Sequence, residues 1–388
     1  MNRILLVIIS FLLISCNSDK KKDIKVSESK KIEIGINHTI ETFMILRSLD
    51  DNDPHFKYRK SEFKDNPLVY FSRQFFKNYG GHIAVHKTQE IIKEFGVDVT
   101  LQGLLYSQEL PNVELIYEVN SPDWKQNREK LIEYLNLLKK FYVEANVYEF
   151  INQHKAFYLG AIAEAKSHIK PNLIQTMENY FGTANDHYSV ILAPNQPFGM
   201  GFGADVENRQ EKILYQILAP ANGIEWKEKA DDYSEFGYSG NDANEYYRDL
   251  VVHEFCHSFI TPIIEQEEYK AKINQSDSLF IPKLDSLMTE QGYDNWWSFV
   301  NEHLVRLGEI RISKKIGTDD LEEMRNYNIK ENGFILIPDA EQLIIEYETN
   351  RKEYPKFELF LPKLVEQLNS FNKIDIKNKM AAANNGYK

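Results

Sequence analysis

Tyr246-Tyr247-Arg248-Asp249-Leu250-Val251-Val252-His253-Glu254-Phe255-Cys256-His257-Ser258-Phe259-Ile260 contains no helix breaker, and the next proline is Pro262. Leu250, Val251, Val252, Phe255 and Phe259 make it strongly apolar, so the stretch predicts a buried helix over 242–260. Residues i and i+4 share a helix face, which sets His253 and His257 one above the other. Two imidazoles in such a helix need polar partners. One cation can satisfy both, because neutral imidazole nitrogen suits Zn²⁺. Glu254 is rotated by one residue, placed to hydrogen-bond a water on that cation rather than to ligate it. Chance supplies H-E-x-x-H only about 0.02 times in a chain holding 10 histidines among 388 residues, so the pattern carries weight.

A catalytic zinc takes three protein ligands and keeps a fourth position open. Trp296-Trp297-Ser298-Phe299-Val300-Asn301-Glu302-His303-Leu304-Val305-Arg306 reads as a second apolar helix, and Glu302 is the candidate third ligand. Arg306, one turn further on, is placed to hold the outer oxygen of that carboxylate. His303 is the competitor, about 100° away around the same helix. Glu265, Glu267 and Glu268 follow Pro262 closely and read as solvated charge. For an oxyanion donor beyond the metal, the candidates are Tyr347 and Arg351, neighbours at i and i+4, with His303 as another option. Cys256 is turned off the metal-facing side and reads as a small buried hydrophobe. His82 and His86 lack an acid between them, Trp296 and Trp297 read as packing, and 199–203 reads as a flexible loop near the cleft.

Outside this pair of helices the chain reads as mostly helical, with strands at 31–36, 188–193 and 212–218, the last two expected to pair antiparallel. A long amphipathic helix is expected over 123–150, further helices at 276–290, 294–315, 318–327, 340–350 and 357–370, and a frayed polar tail after 372. The class is α+β, predominantly helical with a small antiparallel sheet. Residues 32–182 form a helical N-terminal region and 183–372 the catalytic region, with 373–388 as tail.

The first residues give an address. Arg3 precedes an apolar run over 4–14, too short to span a bilayer but of signal-peptide length. It ends in Leu13-Ile14-Ser15-Cys16, which resembles the bacterial lipobox. That likeness implies removal of 1–15, acylation of Cys16 (with a fatty acid such as palmitate), and a body lipid-anchored to the cell-envelope membrane. Residues 16–31 are Lys/Ser-rich and read as a flexible tether. Net charge is −12, from 46 basic and 58 acidic residues, so the electrostatic footprint of a nucleic-acid binder is absent. Two cysteines exclude a disulfide scaffold, and nothing in the chain marks an oligomeric state.

With H-E-x-x-H on one helix and a glutamate from a later one, the chain resembles the gluzincin-type zinc metallopeptidases. It is also similar to an uncharacterised family of bacterial lipoproteins that follow this motif with an N-E-x-x-V-R helix, here Asn301 to Arg306. The first resemblance implies a zincin-like core and Zn²⁺ on His253 and His257. It further implies Glu254 as general base, a peptide or protein substrate, and an upstream edge strand, 188–193 or 212–218, against which substrate lies. Many gluzincins carry an aspartate four residues after the ligand glutamate, where this chain has Arg306. The expected mechanism has Glu254 take a proton from the attacking water and return it to the leaving amine. The rival expectation is an envelope lipoprotein that captures peptide or glycan and whose zinc site is not catalytic.

Overall fold

The strand His187-Tyr188-Ser189-Val190-Ile191-Leu192 sends Tyr188, Val190 and Leu192 into one hydrophobic core, and Ile191 with the following Ala193 into another. That split follows from the two-residue period of a β-strand. The computed structural model describes residues 31–53, 56, 66–196, 201–221, 223–229, 232–238, 243–318 and 320–385. Cys16 and the expected signal peptide and tether over 1–30 lie outside the described residues.

The described chain opens with β1 (Ile32–Gly35) and α1 (His38–Leu49), the helix capped by the Asn37 side chain accepting from the N–H groups of Thr39 and Ile40. There follow α2 (Pro67–Phe75), α3 (Ile83–Phe95) and α4 (Val97–Leu105). The single helix expected over 123–150 is three: α5 (Pro122–Gln126), α6 (Arg128–Glu144) and α7 (Val147–Gln153). Asn146 causes the second break by adopting the left-handed conformation, φ 56°, which asparagine tolerates and most residues do not. Next come α8 (Lys155–His168) and α9 (Leu173–Phe181), then the sheet strands β2 (His187–Leu192), β3 (Gly201–Glu207) and β4 (Lys212–Leu218). The C-terminal half is helical: α10 (Ala243–Ile264), α11 (Glu267–Asn274), α12 (Pro282–Thr289), α13 (Trp296–Ile316), α14 (Leu321–Lys330), α15 (Ile337–Thr349), α16 (Phe357–Ser370) and α17 (Lys373–Asn385). The tail is therefore ordered as a helix, because Ile376 and Met380 face inward and are buried.

The fold is α+β and predominantly helical, with one small mixed sheet in the order β1-β2-β4-β3. β2 and β4 do pair, but in parallel, as do β1 and β2. The antiparallel partner of β4 is β3, which starts in the glycine-rich stretch expected to be a loop. The first core holds α9, α10, α13 and the C-terminal helices, the second α1 to α7. The sheet lies between them. Phe181, Cys256, Ile260 and Val305 belong to the first core, and it is here that α10 and α13 meet. Gly308 permits the contact: a Cβ there would sit 3.2 Å from both Cys256 Sγ and Ile260 Cδ1.

In the second core Glu41 is wholly buried on α1, its Oε2 accepting from the Tyr158 hydroxyl at 2.9 Å and from Asn195 Nδ2 at 2.5 Å. Burial pushes its pKa up to about 7, against the opposing pull of the Asn195 and Tyr158 hydrogen bonds. Native protein thus holds this proton up to about pH 7, whereas the unfolded chain releases it near 4.5. The contribution is whole below the unfolded value and is lost as pH rises towards the folded one. Stability should fall by roughly 3 kcal/mol across that window from this group alone. Glu41→Gln is expected to flatten that part of the curve when denaturant unfolding is measured between pH 4.5 and 8. An unchanged slope would show that Glu41 is ionised in the native state.

Candidate metal centre

The helical setting of H-E-x-x-H holds: α10 runs from Ala243 through Pro262 to Ile264, and Val251, Val252, Phe255 and Ile260 anchor it in the core. His253 and His257 project from one face with Nε2 atoms 3.2 Å apart. From α13, Glu302 sets Oε1 3.4 Å from His253 Nε2 and Oε2 3.3 Å from His257 Nε2. Among the described residues these three form a buried group able to hold a metal ion.

Their protonation explains why. His253 Nδ1 lies 3.3 Å from Glu309 Oε2, an acceptor, so Nδ1 carries the ring proton. His257 Nδ1 lies 3.2 Å from Thr261 Oγ1, and that hydroxyl already donates to Asn301 Oδ1 at 2.9 Å. Thr261 therefore accepts from His257 Nδ1. With both rings neutral, as metal ligation requires, the two Nε2 lone pairs point at one another and at the Glu302 carboxylate. Electron-rich atoms at such distances repel unless a cation sits among them, and the donor set of two imidazoles and one carboxylate fits a divalent metal.

Arg306 occupies its expected place: Nε donates to Glu302 Oε1 at 2.8 Å, and Nη1 reaches Glu309 Oε2 at 3.4 Å. Burial drives the Glu302 carboxyl up, but His253 and Arg306 together outweigh it and hold the group well below the ordinary range. It stays anionic, as a metal ligand would need to be. Glu309 is a residue that sequence reasoning missed. It orients His253, seven positions after Glu302, where the gluzincin resemblance would put an aspartate at the place of Arg306. The i+7 spacing on α13 was its only signal.

Glu254 lies outside this group of three. Among the described residues no hydrogen bond or ion pair reaches its carboxylate, and burial pushes its pKa up to about 7, with His257 pulling the other way. Room for it is made by β3. A Cβ at Gly201 would meet Glu254 Oε1 at 3.1 Å, and one at Gly203 would meet Oε2 at 3.5 Å. At Gly201, where Leu250 Cδ1 would also stand 3.0 Å away, glycine is favoured by close approach, whereas the contact at Gly203 is an ordinary one. Gly201→Ala should displace the carboxylate and lower any turnover about ten- to a hundred-fold while bound metal stays at the wild-type level. Steady-state kinetics with metal analysis checks this, and wild-type turnover would show the glycine to be incidental.

Beside His253 and Glu254 lies a cavity of about 470 Å³ whose walls include Tyr293, Arg306, Glu309 and residues of α14. Tyr293 was also missed. Its hydroxyl lies against Glu302 and Arg306, and burial, reinforced by Glu302, raises its pKa, so it remains a donor. It sits in the turn before α13, and no local pattern marks it.

The oxyanion candidates Tyr347 and Arg351 do not reach this cavity. Tyr347 is buried and donates to the Tyr180 carbonyl, while Arg351 donates to the carbonyls of Tyr180, Asn179 and Pro355 at 2.7, 2.8 and 3.0 Å. They satisfy the C-terminal carbonyls of α9, which have no partners within that helix. His303 stands outside the group of three. Its Nε2 accepts from the Leu336 N–H at 3.0 Å, and burial pushes its pKa down to about 3 against the pull of Glu302. Glu265, Glu267 and Glu268 are exposed. Cys256 is buried, His82 caps α3 through the Ala84 N–H, and the Trp296 and Trp297 indoles donate to the Ile273 and Ile264 carbonyls.

Residues 111–367 match a protein family whose description is Domain of unknown function (DUF4932). The chain belongs to that family. The DUF4932 match begins before α5 and ends within α16, so it takes in β2 to β4, the candidate metal group and the cavity. It leaves out β1 to α4 and α17. No curated protein and no solved structure matches the chain.

Proposed function

We propose that this protein is a zinc-dependent hydrolase, most simply a metallopeptidase, with Zn²⁺ on His253, His257 and Glu302. The observation that carries the reading is the convergence of three lone-pair donors next to an unpaired glutamate at the wall of a cavity. The spacing supports zinc: ligand atoms around a tetrahedral ion with bonds of about 2.0–2.1 Å stand about 3.3 Å apart. The separations here are 3.2, 3.3 and 3.4 Å. When bound, zinc supplies Lewis acidity towards a carbonyl and acidifies water.

The chain's own residues do the rest. Glu254, poised near neutrality, takes a proton from the attacking water and passes it to the leaving amine. The Tyr293 hydroxyl donates to the oxygen on which charge develops. Arg306 keeps Glu302 in place, and Glu309 fixes the His253 tautomer. A substrate backbone has a docking edge in β3. Asp205 and Glu207 turn their carbonyls away from β4, accepting from Gln102 Nε2 and the Glu118 N–H. By the strand's alternation Gly201 and Gly203 face outward too, and no described residue bonds to their backbone. A peptide added there would pass over Glu254. This replaces 188–193 and 212–218 as the edge strand, since β2 and β4 are interior to the sheet.

We further propose that the body is tethered to the envelope membrane through Cys16. No helix among the described residues is long and apolar enough to cross a membrane. The test of the central reading is a metal-resolved assay. Purified protein should carry about one zinc per chain, cleave members of a mixed peptide pool, lose both with a chelator, and regain both with zinc. Protein that binds zinc and peptide yet cleaves none would favour the capture alternative.

A further inference from the structure

β3 presents its outer edge beside Glu254 for only part of its length. A Cβ on Gly201 or Gly203 would stand next to the Glu254 carboxylate, so the reacting bond of a peptide on this edge lies opposite these two glycines. Gly203 is exposed, and no described residue bonds to the backbone of either glycine from outside the sheet. Further along the strand the edge is taken. The Asp205 carbonyl accepts from Gln102 Nε2 at 3.4 Å, and the Glu207 carbonyl accepts from the Glu118 N–H at 2.9 Å. Glu118 therefore occupies the line beside β3 that an added strand would follow.

The segment that closes the edge is fastened at both ends. Leu115, Tyr117 and Val119 pack against the second core while Ile116 and Glu118 are exposed, the two-residue period of extended chain. Tyr106, fully buried at the end of α4, holds this segment in place. Its carbonyl accepts from the Ile116 and Tyr117 N–H groups at 2.9 and 3.2 Å. Its hydroxyl donates to Asn120 Oδ1 at 2.7 Å and accepts from the Ser121 N–H at 3.2 Å. Asn120 Nδ2 in turn donates to Glu207 Oε1 at 3.2 Å. Gln102 stands one turn before Tyr106, so both obstructions are carried by α4.

These contacts amount to a length limit. Antiparallel strands rise about 3.4 Å per residue, so the edge from Gly203 to Asp205 covers about 7 Å and takes about two substrate residues. The next residue meets the Gln102 amide, and then the Glu118 backbone. We propose that the substrate segment on this side of the scissile bond is limited to about two residues, so that the enzyme trims peptide ends rather than cutting within long chains. Gln102 and Glu118 set the limit, and Tyr106 positions Glu118. The inference rests on the hydrolase reading, and it adds the substrate class, a peptide whose terminus lies close to the cleaved bond.

The test uses zinc-loaded full chain and two ladders of end-blocked peptides. One ladder shortens the amino side of a fixed bond from about six residues to one and keeps the carboxyl side long, and the other does the reverse. In one ladder kcat/KM should fall about tenfold or more as that side grows from two residues to four, the loss expected for displacing the Glu118–Glu207 hydrogen bond. The other ladder should stay flat, and the one that falls names the terminus. Gln102→Ala should raise the rate at three residues relative to the rate at two. Two flat ladders in wild type would overturn the limit while leaving the hydrolase standing. Peptides of graded length bearing a zinc-binding hydroxamate at the amino or the carboxyl end, followed by calorimetry, read the edge without turnover. Affinity that drops beyond about two residues on one side supports the limit even where nothing is cleaved, an outcome that counts against the hydrolase reading alone. Equal affinity along both series, or no binding, overturns it.

Discussion

Glu254→Gln is expected to lower peptide hydrolysis by about 10³-fold, within the span general acid–base groups usually contribute, while leaving zinc content and fold intact. The separation of effects follows from position. Glu254 stands outside the three residues that could hold a metal, so the amide removes a proton acceptor and leaves that donor set whole. The carboxylate stands against Gly201 and Gly203 with no donor to hold it. A neutral amide of the same shape is cheaper to bury there, so thermal stability should be at least that of wild type. Kinetics, metal analysis and thermal unfolding on one preparation settle the matter. Wild-type rates in the variant would remove Glu254 from the mechanism. Loss of zinc would instead show that the carboxylate touches the ion.

Glu302→Ala should have the second largest effect and act on two properties at once. It removes one of three donors, so zinc affinity should drop well over 100-fold, more than loss of an outer-shell partner costs. It also strips Arg306 of its 2.8 Å partner, leaving Glu309 at 3.4 Å as its remaining carboxylate among the described residues. A buried charge deprived of its counterpart typically costs about 3–5 kcal/mol, so the metal-free variant should unfold at lower denaturant than metal-free wild type. Comparing the metal-free forms separates this loss from the stabilisation that zinc itself confers. His303→Ala is the control. It should destabilise by opening the core and freeing the Leu336 N–H, yet retain zinc. Should the two variants exchange behaviours, the third ligand would be His303.

The part of the centre legible in sequence is the part set by helix geometry alone. His253 and His257 sit one turn apart on α10, and Glu302 and Arg306 one turn apart on α13. A four-residue spacing on a helix forces each pair together whatever surrounds it. Tyr347 and Arg351 obey the same rule and do meet, the guanidinium 4.2 Å from the ring centroid. Spacing does not say what that face packs against, and α15 turns it to the exposed carbonyls of α9. Tyr293 had no such pattern, and the i+7 spacing of Glu309 from Glu302 did not reveal that its partner, His253, lies on another helix.

The sheet divides in the same way. Alternation and β-branched content marked 188–193 and 212–218 as strands, but whether two strands run parallel depends on the path between them. β3 was hidden because glycine weakens a strand signal. One of those glycines, Gly201, is the tight point where Glu254 approaches the sheet. Taken alone, the amino-acid order determined a helix-rich α+β chain, two imidazoles on one turn, a carboxylate one helix later, and a terminus shaped like a lipid-modification signal. Tertiary packing decided which glutamate steadies His253, which strand offers an edge beside Glu254, and which phenol faces the cavity. Local spacing acts through covalent geometry, whereas the rest depends on which surfaces are buried against each other, and that is a property of the whole fold.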